Sequence, residues 1–408
     1  MPNQRQFPTI AVIREGKVPP DARVPLTPNQ VARLRKAGHD IVVQPSPGRA
    51  FPDEEYRKLG VPLVEDITDR QLLLGVKEVP IDDLIPGRTY CFFAHVAKEQ
   101  PYNQPLMRAL LDKRITMIDY EYLTDERGRR LIAFGYWAGM VGAHNAVMAY
   151  GRRTGQFDLP RLNALRDYAE ARQHYAATDL GDVRVVLTGT GRVGKGAARV
   201  LDDLGFRRLS PAEYLGGAAG AGEGAVYTVA RVEDYAFHPD RPKVDRQHFY
   251  AHGEEYRSDF AKFTAVSDVF INGIFWDGKA PAFFTREDMQ SPAFRIRTIG
   301  DVTCDIAPAA SVPSTLRAST IADPLFAYDP TTGREVPPHT PTAIDVMSID
   351  NLPSELPRDA SKAFGETFIE KILPEFGKPE SGVLTRATIT RAGELGPHFG
   401  YLAGYAGG

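Results

Sequence analysis

Lys77 and His95 are the two residues whose type and position best suit proton transfer. Each stands just past the carboxyl end of a short apolar run: Lys77 after Leu72-Leu73-Leu74-Gly75-Val76, and His95 after Thr89-Tyr90-Cys91-Phe92-Phe93-Ala94. In open parallel αβ sheets, ligands bind in the crevice outside the carboxyl ends of the strands. Two consecutive strands of this kind would bring Lys77 and His95 together although they are far apart in the chain. A lysine in a partly dry cleft has a lowered pKa and can serve as a general base, and histidine titrates near neutral pH unaided. The pattern alone also fits a strand-end lysine pointing into water and a hydrogen-bonded structural histidine.

A second constellation binds rather than reacts. Val185-Val186-Leu187-Thr188-Gly189-Thr190-Gly191-Arg192-Val193-Gly194-Lys195-Gly196 is an apolar strand running into G-x-G-x-x-G, with helix-like Ala197–Leu204 behind it. Gly189 permits the tight turn and Gly191 lets a pyrophosphate approach the backbone. Gly194 allows helix and strand to pack closely, and the helix N-terminus favours the anion. The motif has its required strand before it and helix after it, which favours dinucleotide binding over an empty glycine turn or a single phosphate site. An NAD site would place an acidic residue at the end of the next strand. The two candidates, Phe206–Leu209 and Val226–Ala230, end at Ser210 and Arg231. Arg231 either meets the 2′-phosphate of NADP or is a solvated surface arginine, so the cofactor is NAD or NADP.

The elements that must carry these residues read as α/β. Thr9–Ile13 and Ile41–Val43 are strands. Between them Thr27, Pro28 and Gln30 open a helix as cap, first-turn proline and capping-box partner. Val31 and Leu34 form its buried stripe, and Gly38 ends it. Met117–Leu123 and Arg130–Phe134 read as strands flanking a hairpin turn at Asp125-Glu126-Arg127-Gly128. Helix-like sequence fills much of 139–175, interrupted at Gly151 and Pro160. Later strands are expected at Val269–Asn272 and Thr298–Thr303, and Pro337–Pro341 is a loop. Gly216–Gly222 is low in complexity, as a flexible surface insertion would be.

A chain of 408 residues, 43% hydrophobic and 25% charged, has room for two globular domains. No run approaches the roughly 18 apolar residues of a membrane span. The formal net charge of −3 gives no electrostatic reason to expect a nucleic acid partner. Cys91 and Cys304 lack metal-ligand spacing and read as reduced thiols. Met1–Phe7 passes directly into a strand, which leaves no room for a signal peptide and points to the cytoplasm.

Arg14-Glu15-Gly16-Lys17 followed by Ala22-Arg23-Val24-Pro25-Leu26-Thr27-Pro28 resembles the N-terminal signature of the alanine dehydrogenase and transhydrogenase superfamily. Val76-Lys77-Glu78 and Phe93-Ala94-His95 are similar to its catalytic segments. Three further stretches resemble the lysine-forming saccharopine dehydrogenases: Asp119–Leu123; Gly128-Arg129-Arg130 with Ala133–Gly139; and Ser348-Ile349-Asp350-Asn351-Leu352-Pro353-Ser354-Glu355-Leu356-Pro357-Arg358. The resemblance implies that Lys77 and His95 are an acid/base pair. Arg23, Gln100, Arg130 and Phe134 would line the substrate site, with Lys17, Glu78 and Glu121 as charged neighbours. Arg129, Arg192, Val193 and Ile349, Asp350, Asn351 and Leu352 would contact the dinucleotide, and Asp305 resembles an aspartate near the nicotinamide. The arginines suit a substrate rich in carboxylates, because a guanidinium offers planar, bidentate donors. For Arg129 and Arg130 the other reading is a basic shoulder beside Asp125 and Glu126.

The resemblance also implies an architecture and a reaction. Residues 1–138 with 354–408 would form a substrate domain and 139–353 a dinucleotide-binding Rossmann domain, with a cleft between two parallel-sheet domains that closes on binding. The reaction would be reversible oxidative deamination of a secondary amine, yielding an amino acid and a 2-oxo acid. An alanine-like primary amine, another opine, or a dinucleotide sensor without catalysis would use the same fold. Residues 216–225 and much of 235–262 look inserted relative to the compact fungal pattern.

Overall fold

The computed structural model describes residues 7–19, 21–217, 222 and 224–407. The expectations for Met1–Gln6 and for Ala218–Ala221 of the glycine-rich stretch fall outside the described residues. The chain divides into two compact units, Met1–Phe134 with Pro357–Gly408, and Gly135–Leu356.

The first unit is built on short apolar strands, β1 (Ile10–Val12), β2 (Ile41–Val43), β3 (Leu72–Leu74), β4 (Thr89–Phe92) and β5 (Thr116–Asp119). They lie in the order β2-β1-β3-β4-β5, all parallel, and Thr388–Arg391 and Glu394–Leu395 add an antiparallel edge beside β5. The three-residue strands are buried along their whole length, which is why they read as continuous apolar runs without alternation. Because β1 sits between β2 and β3, the strand order reverses beside it, and the carboxyl ends of β1 and β3 flank a topological switch point. Helix Pro28–Lys36 starts where its capping residues predict. Gln30 Oε1 accepts from the Thr27 N–H at 2.8 Å, Val31 and Leu34 are buried, and Gly38 follows with φ 94°.

The expected hairpin is reduced to one bridge pair, closed by the Asp125 N–H on Arg129 O at 3.0 Å and the Leu131 N–H on Leu123 O at 2.8 Å. β5 ends at Asp119, whose carboxylate accepts the Glu121 N–H at 2.8 Å and turns the chain into a single 3-10 turn, Tyr120–Tyr122. Arg130–Phe134 is not a strand, and only Thr124 and Arg130 form an antiparallel bridge. The turn at 125–128 is present, held by Asp125 accepting from the Arg127 and Arg129 amides. Local carboxylates here outcompete the ladder for backbone donors.

The second unit contains β6 (Arg184–Thr188), β7 (Arg207–Leu209) and β8 (Val226–Ala230). Strands run β7-β8-β6, then Val269–Asn272, Thr298–Asp301 and Ile344–Met347, all parallel. Phe326–Asp329 and Arg334–Val336 close the sheet antiparallel. The neighbour of β6 is therefore β8, which settles which candidate strand follows the glycine motif in space. Residues 232–264 fold into short helices and the ribbon Ala236–Phe237 with Arg257–Ser258, around a small cluster of Val232, Ala236, Phe249 and Tyr256.

Helix Gly135–Thr154 is the core of this unit. It runs unbroken through Gly151, against expectation, while the helical run does stop before Pro160 and resume at Tyr168–Ala176. Gly151 is there for space: a Cβ would lie 2.4 Å from the Phe157 ring. The helix packs on helix Arg192–Asp203 backbone to backbone. A Cβ at Gly139 would stand 1.9 Å from the Val193 carbonyl oxygen, and one at Gly196 would stand 1.9 Å from that of Tyr136. Neither clash can be relieved by turning a side chain. Gly139→Ala is expected to destabilise the protein by about 1–3 kcal/mol or more, because the backbones must part. Chemical denaturation measures this, and a stability equal to the unsubstituted protein would show that the helices can separate freely.

Candidate active site

The pairing of β3 with β4 continues past their ends. The Gly75 N–H donates to Cys91 O and the Phe93 N–H to Val76 O, each at 3.0 Å. Lys77 and His95 thus leave the sheet from adjacent strand ends. From the end of β1 comes Glu15, whose carboxylate accepts the Val76 N–H at 2.7 Å and the Lys77 N–H at 2.8 Å. Burial pushes the Glu15 carboxyl up to about 7, against the pull of those two bonds. The loop after β1 is therefore fastened to the residue that carries the Lys77 amine.

Glu78, next to Lys77 in the chain, bridges His95 and Lys17. Its Oε1 lies 2.6 Å from His95 Nδ1, and its Oε2 accepts from Lys17 Nζ at 2.8 Å. Burial alone would raise this carboxyl, but the bonds from His95 and Lys17 outweigh it and bring it down to about 2, so Glu78 is ionised. Lys77 is held below the ordinary lysine range. Burial is the main cause, the charges of Arg23 and Lys17 add to it, and Glu78 and Asp21 act in the opposite sense. His95 has φ 56°, a left-handed conformation unusual for a side chain with a Cβ. The preceding Ala94 N–H donates to Asp119 Oδ2 at 3.0 Å, which fixes that turn. Burial pushes Asp119 up to about 6.

The residues expected around the substrate divide. Arg23 is 3% exposed; its Nε and Nη2 donate to Asp21 at 3.0 and 2.6 Å, and its guanidinium lies 4.2 Å from the centre of the Phe134 ring. Phe134 stacks in turn on Phe364, so it acts as a platform for Arg23. Glu121 accepts from Arg130 Nη2 at 2.7 Å and lies 3.6 Å from Lys98 Nζ. Lys17, Arg23, Lys77, Glu78, His95, Glu121, Arg130 and Phe134 belong to this connected region. Gln100 does not join it by any side-chain bond to these residues: it is exposed and accepts from the Tyr102 hydroxyl. Arg129 is an exposed arginine whose side chain is 71% accessible and paired with Asp125 of its own turn, as the basic-shoulder reading describes.

Glu15, Asp21, Lys98 and Asp119 had no role assigned from sequence. Asp119 was within reach, because it ends an apolar run just as Lys77 and His95 follow theirs. Glu15 was not, since nothing in its neighbourhood marks a carboxyl group as buried.

The second unit holds the glycine turn. Gly189 has φ 97°, and a Cβ there would lie 2.3 Å from Gly273 O; one on Gly194 would lie 1.9 Å from Gly189 O. At Gly191 a Cβ would meet nothing within 4 Å. The turn is thus closed on the protein side and open on the other, where a cavity of ≈ 390 Å³ is lined by Gly189, Gly191, Arg231, Ile274 and Trp276 among others. The cavity lies at the carboxyl ends of β6, β8 and Val269–Asn272, beside the strand-order reversal at β6. Its volume is within the usual range for small-molecule sites, about 300–1,000 Å³. An open glycine turn beneath a helix N-terminus fits a pyrophosphate, so these residues fit a dinucleotide.

Other expected cofactor contacts lie in the same unit. Arg192 opens the helix behind the turn, and Val193 packs near Gly273. Asp305 has a buried Oδ2 without a hydrogen-bond partner, and burial raises its carboxyl. Ile349 and Leu352 are buried in the apolar core, whereas Asp350 is exposed and Asn351 partly so. Glu355 in the same motif is wholly buried and paired with Arg161 and Asn145.

Comparison with known proteins places this geometry. The alanine dehydrogenase/PNT N-terminal domain family matches residues 11–141. The mitochondrial alpha-aminoadipic semialdehyde synthase of Rattus norvegicus is 30% identical over 97% of this chain and 47% of its own length, so the chain spans about half of that relative. The saccharopine dehydrogenase [NAD(+), L-lysine-forming] of Neurospora crassa is 30% identical over 93% of this chain and 95% of its own. A solved L-alanine dehydrogenase shares the fold, with a TM-score of 0.66 at 19% identity over 97% of this chain and 98% of that one. Among the described residues no group of side chains could hold a metal ion, and no helix is long and apolar enough to cross a membrane. With near-complete coverage in both directions at this identity, the chain belongs to the saccharopine dehydrogenase (L-lysine-forming) family.

Proposed function

We propose that this protein is an NAD(P)-dependent amino-acid dehydrogenase acting on saccharopine, which it converts with water to lysine and 2-oxoglutarate in a reversible reaction. The observation that carries the reading is the arrangement of Lys77 and His95 around one ionised carboxylate, Glu78, at the carboxyl ends of adjacent parallel strands. The small molecules it would handle are an amino acid and a 2-oxo acid. Two free thiols suit the reducing cytoplasm.

The bound dinucleotide supplies a hydride acceptor. Gly189, Gly191 and Gly194 would hold its pyrophosphate, with Arg192 and Val193 beside it, and Asp305 and 349–352 would complete the site. The remaining chemistry falls to the first unit. Burial and the charges of Arg23 and Lys17 lower the Lys77 pKa, which favours the neutral amine whose Nζ takes a proton from the substrate nitrogen as hydride leaves the adjoining carbon. The product of that step is an imine. Glu78, being ionised, accepts from His95 Nδ1–H and leaves Nε2 as the basic atom. His95 Nε2 takes a proton from water as the water oxygen bonds to the imine carbon, and the Lys77 ammonium returns its proton to the imine nitrogen. The resulting carbinolamine gives its hydroxyl proton to the neutral Lys77 amine and takes the His95 imidazolium proton at nitrogen as the C–N bond breaks, leaving the carbonyl of the 2-oxo acid and the free amine. Lys17, Lys98, Arg23 and Arg130 supply the positive field that a substrate with several carboxylates requires.

Reduced dinucleotide should be oxidised by the purified protein with lysine plus 2-oxoglutarate, and not with pyruvate plus ammonia; the reverse result would assign an alanine-type substrate. Lys77→Met should lower turnover by about 10²–10⁴-fold with dinucleotide affinity preserved. Unchanged turnover would remove Lys77 from the chemistry. In the oxidative direction kcat/KM should rise with pH as Lys77 loses its proton, with a midpoint below the value of about 10.4 for free lysine. Glu78 stabilises the Lys77 ammonium, so Glu78→Gln should move that midpoint to lower pH. A move to higher pH would contradict the electrostatic order of the site.

A further inference from the structure

The loop that carries His95 and Lys98 is held from outside by a distant part of the chain. We propose that residues 399–407 strap this loop into its reactive shape, with Tyr401 and Tyr405 as positioning residues whose hydroxyls grip the loop backbone. The inference rests on the reading of His95 and Lys98 as parts of the reactive site, and it adds residues to which no motif assigned a part.

His95 and Glu99 bracket the single 3-10 turn Val96–Lys98, and both have left-handed backbones, with φ 56° and 54°. Neither is glycine, so each stores strain that persists only where the surrounding structure over-determines it. On the near side of the turn, Asp119 fixes the Ala94 N–H and Glu78 fixes the His95 ring. On the far side the backbone passes through Glu99 and Gln100 into a second short turn, Pro101–Asn103. The carbonyls of Ala97 and Gln100 there are met by the segment 399–407.

The sheet aims that segment at the loop. Thr388–Arg391 runs antiparallel to β5, and Glu394–Leu395 runs antiparallel to Thr388–Arg391, so the chain leaves the sheet toward the carboxyl end of β5. The Gly396 N–H donates to Ile389 O at 2.7 Å, and a Cβ at Gly396 would lie 1.7 Å from Thr388 O, which fixes the point of departure. Phe399 and Leu402 are then buried with Ala94, Val96 and Ala97 in one apolar cluster, and Tyr405 packs against it. From this anchor Tyr401 Oη donates to Ala97 O at 3.2 Å and Tyr405 Oη to Gln100 O at 2.6 Å. Gln104 Nε2 returns a bond to Tyr405 O at 2.8 Å. The same segment reaches the neighbouring turn, where the Phe399 ring meets the Tyr122 ring edge-on at 5.1 Å between centres. Tyr122 adjoins Glu121, whose Oε1 lies 3.6 Å from Lys98 Nζ. One short segment therefore ties together the loops that carry His95, Lys98 and Glu121. Tyrosine suits the task, because one end of its rigid ring is apolar and the other carries a hydrogen-bond donor.

Tyr401→Phe, Tyr405→Phe and the double variant, made in the full chain, keep the rings and remove the hydroxyls. Nuclear magnetic resonance of isotope-labelled histidine reports the His95 ring without any substrate, its signal being assigned by its loss in His95→Gln. The double variant is expected to shift or broaden the His95 signal. It is also expected to lower kcat/KM for 2-oxoglutarate with lysine about tenfold, at unchanged dinucleotide affinity. A His95 signal that matches the parent in every variant overturns the inference, even where the melting temperature falls, since that marks a structural contact alone. In an active parent, an unchanged kcat/KM in the double variant overturns it too. A moved signal in a protein that turns over neither lysine with 2-oxoglutarate nor pyruvate with ammonia leaves the strap standing and removes the proposed reaction. If the double variant does not fold, Tyr405→Phe alone, which loses one bond at the surface, decides by the same signal.

Discussion

One buried negative charge organises the reactive end of the first unit. Glu78 takes a hydrogen bond from Lys17, orients His95 and partly offsets the burial and the positive charges that lower the Lys77 pKa. At the effective dielectric of such sites, two unit charges about 4 Å apart interact by about 4 kcal/mol, enough to change a protonation equilibrium about a thousandfold. That is why a single carboxylate can stay ionised under burial and still govern its neighbours. Everything else in the region serves to keep Glu78, Lys77 and His95 at fixed separations. Glu15 pins the backbone at Lys77, Asp119 pins the backbone at His95, and the parallel pairing of β3 with β4 sets the distance between them.

The strand-end residues were legible from sequence because short, uninterrupted apolar runs in an α/β chain mark buried parallel strands, and ligands gather where those strands stop. The helix at Pro28 was legible for a local reason, the reciprocal Thr27 and Gln30 arrangement. Long-range effects were not legible. Gly151 looks like a helix breaker, yet it sits inside a continuous helix because the Phe157 ring occupies the volume a side chain would need. Arg130–Phe134 has the composition of a strand, but Asp119 and Asp125 draw the Glu121 and Arg129 amides away from a ladder. The importance of Glu15 depends on burial, and burial is a property of the fold. The motif 348–358 carries two jobs that sequence similarity merges: part of it can face a ligand, while Glu355 locks Arg161 and Asn145 in the core.

Relatives and physics agree at different levels. Similarity over almost the whole chain assigns the family, and likeness to an alanine dehydrogenase assigns the fold. The proposed chemistry draws on local electrostatics: a lysine whose pKa burial lowers, a histidine with one nitrogen bonded to Glu78, and a cluster of cations suited to carboxylates. Gln100 and Arg129 are each bonded to a neighbour of their own, Tyr102 and Asp125.

The segment 232–264, which brings Tyr250 to the cavity beside the glycine turn, has its own small apolar centre, separate from the main core of its unit. The glycine turn, by contrast, is locked by backbone contacts that tolerate no side chain. Substitution therefore meets opposite constraints on the two sides of one cavity. The turn cannot drift without loosening the helices behind it, whereas the rim can be recut or exchanged as a module. Evolution within this architecture is free to reshape the rim while leaving the means of gripping a dinucleotide intact.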